Sequence, residues 1–167
     1  VNTVVQTVWG LLLGRYNYTL DVVFGSVVSG RPAEIPGIER MIGLFVNSLP
    51  VRVKQDENTS FASLVSNVYR ESVKNKPYEY MPLADIISIS PLKKDLFNIL
   101  VGFENYPIEK EVKEMNSRPG LGFSLVNREN HEQTNYDFNI IIIPGTRLEF
   151  HFNYNSAVIQ PSLVEAA

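Results

Sequence analysis

The chain has 167 residues, 15 of them basic and 18 acidic, for a formal charge of -3; that is the size of one ordinary domain or a part of a larger one. A composition 44% hydrophobic and 11% aromatic excludes a disordered chain, and the slightly acidic balance argues against a general nucleic-acid binder. With no cysteine and no apolar run near the roughly 20 residues a bilayer requires, disulfides, thiolate metal sites, a cysteine nucleophile and a spanning helix are excluded.

The first segment reads as an amphipathic helix, with Val4, Val5, Val8, Leu11 and Leu12 on one 3.6-residue stripe. Asn2 or Thr3 is the expected cap and Gly14 the expected end. The helix opens at the first residue, which suggests a piece of a longer polypeptide. No basic-then-apolar leader is visible at Val1, so a cytoplasmic, reducing compartment is expected. Leu20 to Val28 is β-branched and nearly continuous in apolarity, as suits a strand covered on both faces. Gly25 within it signals a bulge, or a close approach by another backbone or a ligand. Ser29-Gly30-Arg31-Pro32 breaks the strand and Pro36-Gly37 marks a turn. Ile38, Met41 and Ile42 suggest a short helical turn ended by Gly43. A second strand carries Leu49, Val51 and Val53 on one face, and Pro50 confines it to an edge or a bulge.

Ser60 caps a second helix whose stripe is Phe61, Leu64, Val65, Val68 and Tyr69, and Pro77 ends it. A shorter helix is expected from about Pro82 to Ile87. Phe97 to Phe103 alternates as a strand. A charged loop spans Glu109 to Pro119, and Leu121, Phe123 and Leu125 alternate again. The strand from Tyr136 to Ile142 then pairs through Pro144-Gly145-Thr146 with Leu148 to Tyr154 as a hairpin. The chain ends at Ala167 in the first turn of a further helix. The order implies an α/β fold of the α+β two-layer type, helices packed on a mixed sheet, in one domain or lobe.

Catalytic chemistry is scarce. His131 and His151 are not adjacent and neither has a metal-spaced partner. His151 reads as an exposed strand residue flanked by Glu149 and Asn153, and His131 as a solvated loop residue. No nucleophile elbow, phosphate loop or dinucleotide motif occurs, and Glu109, Glu111 and Glu114 alternate with Lys110 and Lys113 as a solvated face. Lys74, Lys76, Lys93 and Lys94 read first as surface lysines and second as a contact for an acidic partner. Within Met41 to Val53, Asn47 and Ser48 are polar between two apolar blocks. Either they tie down irregular backbone or they point into a cavity. Arg31 reads as a brace for loop carbonyls, ahead of an anion contact. A third apolar-to-polar passage is Val101-Gly102-Phe103-Glu104-Asn105-Tyr106-Pro107.

At these residues the chain resembles the C-terminal lobe of condensation domains of nonribosomal peptide synthetases. Val23-Phe24-Gly25-Ser26-Val27-Val28-Ser29-Gly30-Arg31-Pro32 is similar to one family segment. Ile38-Glu39-Arg40-Met41-Ile42-Gly43-Leu44-Phe45-Val46-Asn47-Ser48-Leu49-Pro50-Val51-Arg52 is similar to its core motif, with Ser48 in place of the usual Thr. Tyr78 to Leu83 is a looser match, while Leu96 to Pro107 and Tyr136-Asp137-Phe138 resemble two family strands. The resemblance covers nearly the whole chain in order.

The resemblance implies a chloramphenicol acetyltransferase-like lobe over residues 1–167, part of a two-lobed shell with a tunnel between the lobes. Carrier domains would present two thioesters there on phosphopantetheine arms, and an amine would attack to form an amide. The family's catalytic motif, two adjacent histidines with an Asp-Gly, belongs to the N-terminal lobe and is missing here. The chain alone is therefore expected to be inactive and to bind no cofactor itself. Its implied partners are that N-terminal lobe, peptidyl carrier domains and an adjacent adenylation domain, with no nucleic acid and no membrane. The support roles implied for the lobe fall on Asn47 and Ser48 at the tunnel wall, Gly43 at a backbone turn near the facing lobe, Gly25 and Ser26 on a strand near the tunnel, and Arg31 and Arg52 in ordering loops. The alternatives are an epimerisation or heterocyclisation lobe, a non-catalytic docking lobe, and a stand-alone acetyltransferase, for which His151 lacks the expected Asp-Gly context.

Overall fold

The computed structural model describes residues 1–32, 34–56, 58–104 and 134–165. The expected strand through Leu121, Phe123 and Leu125, the charged loop 109–119, His131 and the Asn105-Tyr106-Pro107 passage lie outside the described residues. In chain order the elements are α1 (Asn2–Tyr16), β1 (Asp21–Val28), β2 (Asn47–Lys54), α2 (Phe61–Asn75), α3 (Leu83–Ile89), β3 (Ile99–Phe103), β4 (Phe138–Pro144), β5 (Leu148–Tyr154) and α4 (Pro161–Glu165).

The strands form one mixed sheet in the order β2-β1-β3-β4-β5. β1 pairs antiparallel with β2 and parallel with β3, β3 runs parallel to β4, and β4–β5 is the expected hairpin. β2 is an edge strand, as Pro50 requires, since proline offers no N–H to a second neighbour. Strand alternation sorts the side chains onto two faces. Val22, Phe24, Val53, Val101, Phe138, Ile140 and Ile142 join Leu13 of α1 and Leu64 and Val68 of α2 in the core. The opposite face carries Val27, Ser48, Leu100, Gly102, Asn139, Ile141 and Asn153, which line a recess among the described residues.

Ser60 caps α2 as expected, its Oγ accepting the Ser63 N–H at 3.2 Å. On α2 only Leu64 and Val68 of the expected stripe are fully buried, while Phe61 and Tyr69 stay exposed. α3 begins one residue after Pro82, which takes the N-cap position.

α1 keeps part of its expected face, with Val5 and Leu11 packed against the core. Its buried residues are Gln6, Thr7, Gly10, Leu13 and Gly14, whereas Val4 and Val8 remain exposed. The helix lies so close to the sheet that a Cβ on Gly10 would sit 2.5 Å from Val53 Cγ2. Glycine is required at this closest point, while Val5, Trp9 and Leu11 pack partly buried against the core, and Val4, Val8 and Leu12 line a groove with Phe150 and Phe152 of β5. Gln6, buried in this contact, donates from Nε2 to Ser26 Oγ at 2.9 Å. The ends also differ from expectation. Val1 holds the N-cap position without a capping side chain. Gly14 lies inside the helix, which is closed by Asn17, whose backbone and side-chain N–H groups both donate to Leu13 O.

Gly25 marks no bulge, because the β1–β2 register is continuous from Asp21↔Lys54 to Val28↔Asn47. The close approach there is neither backbone nor ligand. It is the ring of Phe97, whose Cε2 would lie 2.3 Å from a Cβ.

Candidate functional site

The motif residues from Gly30 to Ser48 build one structure at the end of β1 and the start of β2. Gly30 has φ +60, and a Cβ on it would lie 1.8 Å from Phe45 O, so only glycine fits. The chain then delivers Arg31 to the 3-10 turn Ile38–Arg40. The Arg31 guanidinium donates from Nη1 to Ile38 O and from Nη2 to Met41 O, the latter at 3.0 Å. Its Cζ stands 4.2 Å from the centroid of the Phe45 ring. The arginine is thus a brace, as expected, and no anion is needed to explain it. Gly43 does not adopt left-handed backbone. Its lack of a side chain makes room for the Phe45 ring, whose Cε2 would be 2.9 Å from a Cβ. With Phe45 turned back onto Arg31, the loop holds Ile42 and Leu44 outward at 103% and 95% exposure. Two fully exposed aliphatic side chains on a braced loop are unusual, since free apolar surface of this kind tends to be covered by a partner.

Asn47 follows at once. Its Nδ2 donates to Glu79 O at 2.9 Å and Met81 O at 2.7 Å, and its Oδ1 accepts the Ser48 N–H at 2.9 Å. The side chain staples the segment before α3 to the start of β2, which is the tying of irregular backbone rather than a pointer into a cavity. Ser48 lies on the recess side, near the Tyr136 phenol. Burial pushes that phenol up from its ordinary pKa, and the nearby Ser48 hydroxyl offsets part of the rise. Tyr136 stacks on Phe97 at 5.6 Å, and Phe97 fills the space over Gly25.

Two candidate residues stand elsewhere. Ser26 points to the helix-covered face, where it is buried and accepts from Gln6, so strand alternation separates it from the recess. Arg52 orders no loop. It forms a bidentate pair with Asp21 across β1 and β2, with Nε 2.7 Å from Oδ1, toward the opposite end of the strand from Asn47. The hydrogen bond from Arg52 holds the Asp21 carboxyl below its usual range.

The recess itself is about 400 Å³ and is lined by Val27, Ser48, Leu100, Gly102, Thr134, Asn139 and Asn153 among others. Sequence reasoning missed Asn139. Its signal was present, as one amide inside the apolar run from Phe138 to Ile143. His151 is exposed and lies 3.8 Å from the Glu149 carboxylate, matching the reading of a surface strand residue. Among the described residues, no three His, Cys, Asp or Glu side chains could hold a metal ion, and no helix is long and apolar enough to cross a membrane. Lys74 pairs with Glu71 and Lys93 donates to Ser88 O, so both have local partners. Among the described residues, the recess lining brings Glu104 together with the hydroxyls of Ser29, Ser48 and Thr134.

The family model described as the condensation domain matches residues 1–166. The chain is 44% identical over 160 residues to surfactin synthase subunit 2 of Bacillus subtilis (strain 168), covering 96% of this chain and 4% of that protein. It is 41% identical over 165 residues to tyrocidine synthase 2 of Brevibacillus parabrevis, covering 99% of this chain and 5% of that protein. The chain thus spans a small fraction of the curated relatives it matches. Among solved structures, the starter condensation domain of the rhizomide synthetase RzmA superposes with a TM-score of 0.69 at 20% identity, over 98% of this chain and 38% of that one.

Proposed function

The chain belongs to the condensation-domain family, and from that premise we propose that it is the C-terminal lobe of a condensation domain in a nonribosomal peptide synthetase. In this reading the parent, placed in the cytoplasm, joins two carrier-bound thioester substrates by an amide bond. Each substrate rides on the phosphopantetheine arm of a carrier domain, and an adenylation domain stands alongside. The lobe contributes a wall, while the proton-transfer histidines reside on the N-terminal lobe.

The observation that carries this reading is the pair Ile42 and Leu44, fully exposed on a loop braced by Arg31 and Gly30 and stapled behind by Asn47. A rigid apolar projection beside an open recess is what one half of a two-part shell requires. Its stiffness also suits the chemistry, because a tethered thioester gains rate only when held in near-attack geometry. The coverage of 38% of a solved condensation domain is in keeping with one lobe of two.

The test is an amide-forming assay with two loaded carrier domains. The two-lobed parent domain is expected to turn over, and the 167-residue chain alone is expected to give no product. Turnover by the chain alone would overturn the assignment of the chemistry to the other lobe.

A further inference from the structure

The two edges of the sheet are built differently. β2, at one edge, carries Pro50 within the strand and Arg52 and Lys54 near its end, and α2 and α3 contact it. Proline, basic side chains and a covering helix are devices that keep an edge from pairing with another chain. β5, at the other edge, has neither proline nor lysine nor a bulge, and it keeps unbroken register with β4 from Leu148 to Tyr154. Beyond its end, the Asn155 N–H donates to Asp137 O at 2.9 Å. In antiparallel pairing, successive residues turn their hydrogen-bonding groups to opposite sides. Counting back from that anchor, Leu148, Phe150 and Phe152 turn their backbone N–H and C=O groups outward, away from β4. Among the described residues no strand pairs with them. Their side chains lie on the helix-covered face, across from Pro144, Ile142 and Ile140, and are 44%, 44% and 37% exposed. The Phe150 and Phe152 rings lie nearly parallel, centroids 6.4 Å apart, as a flat aromatic surface. Glu149 and His151 lie on the other face of the strand and are exposed.

We infer that β5 is a self-pairing edge, to which a second copy of this chain adds its own β5 antiparallel, across a two-fold axis between the two copies of Phe150. That axis sets Phe150 opposite the partner's Phe150 and Leu148 opposite the partner's Phe152, all residues whose backbone groups point outward. The same register sets Glu149 opposite the partner's His151, twice. These are the closer, non-hydrogen-bonded positions of the ladder, where a carboxylate can accept from an imidazole N–H. Moving the axis to His151 would face His151 with itself and Glu149 with Asn153. Moving it to Glu149 would set two carboxylates against each other. Only the axis at Phe150 matches acid to imidazole, and this self-complementarity selects a second copy over an unrelated strand. The axis is normal to the sheet, so the seam joins ten strands, five from each copy, with the helices of both on one side. It lies at the far edge from β2 and the loop of Ile42 and Leu44, so the inference does not depend on the condensation reading.

The test is sedimentation velocity of the 167-residue chain from micromolar to sub-millimolar concentration, combined with hydrogen exchange of the β5 amides. The chain is expected to dimerise reversibly, and the Phe150 and Phe152 amides to gain protection as concentration rises. His151→Glu would place two pairs of carboxylates at the seam, and Glu149→Lys combined with His151→Lys two pairs of ammonium groups. Each variant should weaken dimerisation about tenfold or more. Both positions are exposed, so neither variant should disturb the fold. An equimolar mixture of the two variants faces every carboxylate with an ammonium and should dimerise again, which also shows that both are folded. An unaltered chain that stays monomeric throughout, variants that self-associate as the unaltered chain does, or a mixture that fails to dimerise would overturn the inference. Amide protection that does not change with concentration would assign the edge to a segment of the same chain and would equally overturn it.

Discussion

Asn47 commits both Nδ2 protons and one Oδ1 lone pair to main-chain groups of two separate segments. Replacing it with alanine strips Glu79 O and Met81 O of their donors at once. Asn47→Ala should lower the unfolding free energy by roughly 1–3 kcal/mol, read from a urea midpoint at unchanged slope. An unaltered midpoint would show that water replaces the staple at no cost. The Asp21–Arg52 pair acts through charge instead. Its side chains are 35% and 62% exposed, so it is worth about 0–1 kcal/mol. The folded Asp21 pKa is depressed, chiefly by the Arg52 hydrogen bond. Its contribution is therefore complete above the unfolded carboxyl value of about 3.9 and is lost as pH falls through the lower folded value. Arg52→Ala should flatten that part of the acid limb in a pH series of denaturation curves. A limb as steep as the parent's would remove the pair from the account. At this scale the sequence exposed the polar island of Asn47 and Ser48 but not its partners. The acceptors are backbone carbonyls more than thirty residues away, and no residue type advertises a carbonyl.

α1 shows where element-level reading runs out. The periodic apolar stripe of Val4, Val5, Val8, Leu11 and Leu12 was legible, and Val5 and Leu11 do pack against the core, yet the fully buried residues of the helix are Gln6, Thr7, Gly10, Leu13 and Gly14. Hydrophobic periodicity ranks faces by apolarity, whereas close approach ranks positions by size, and at Gly10 size decides. This gives a sharp test. Gly10→Ala should raise intrinsic helix stability by about 1 kcal/mol, but its Cβ would press into Val53 at 2.5 Å. The net effect should be a loss of about 1–3 kcal/mol from overpacking, with Val53→Ala in the same chain restoring part of it. A Gly10→Ala chain more stable than the parent would mean that α1 sits farther from β2 than described. The strands were more legible. Pro50 placed β2 at an edge, and alternation around Pro144-Gly145-Thr146 gave the hairpin, because pleat and turn chemistry are written in neighbouring residues. Ser26 was misplaced for a related reason. Its position on β1 was legible, but which face would be covered depends on α1, and that is a tertiary fact.

At the scale of the whole molecule the sheet has one face closed by helices and another that carries the recess and, beside it, the braced loop of Ile42 and Leu44. The order of elements made the two-layer class legible, and the motif from Ile38 to Arg52 made the family legible. The recess could not be read from either, since a sequence records residue types without recording which of them line a cavity. The most direct measurement uses the absence of cysteine in this chain. Ile42→Cys and Leu44→Cys each introduce one reporter thiol, and Asn58→Cys on an exposed loop serves as reference. In the isolated chain all three thiols should react with a maleimide at similar rates. In the two-lobed parent, peptide mass spectrometry should find positions 42 and 44 protected by about tenfold or more while position 58 still reacts freely, an effect of the order expected from burial in an interface. Equal labelling of all three positions in the parent would contradict the claim that this loop meets a second lobe.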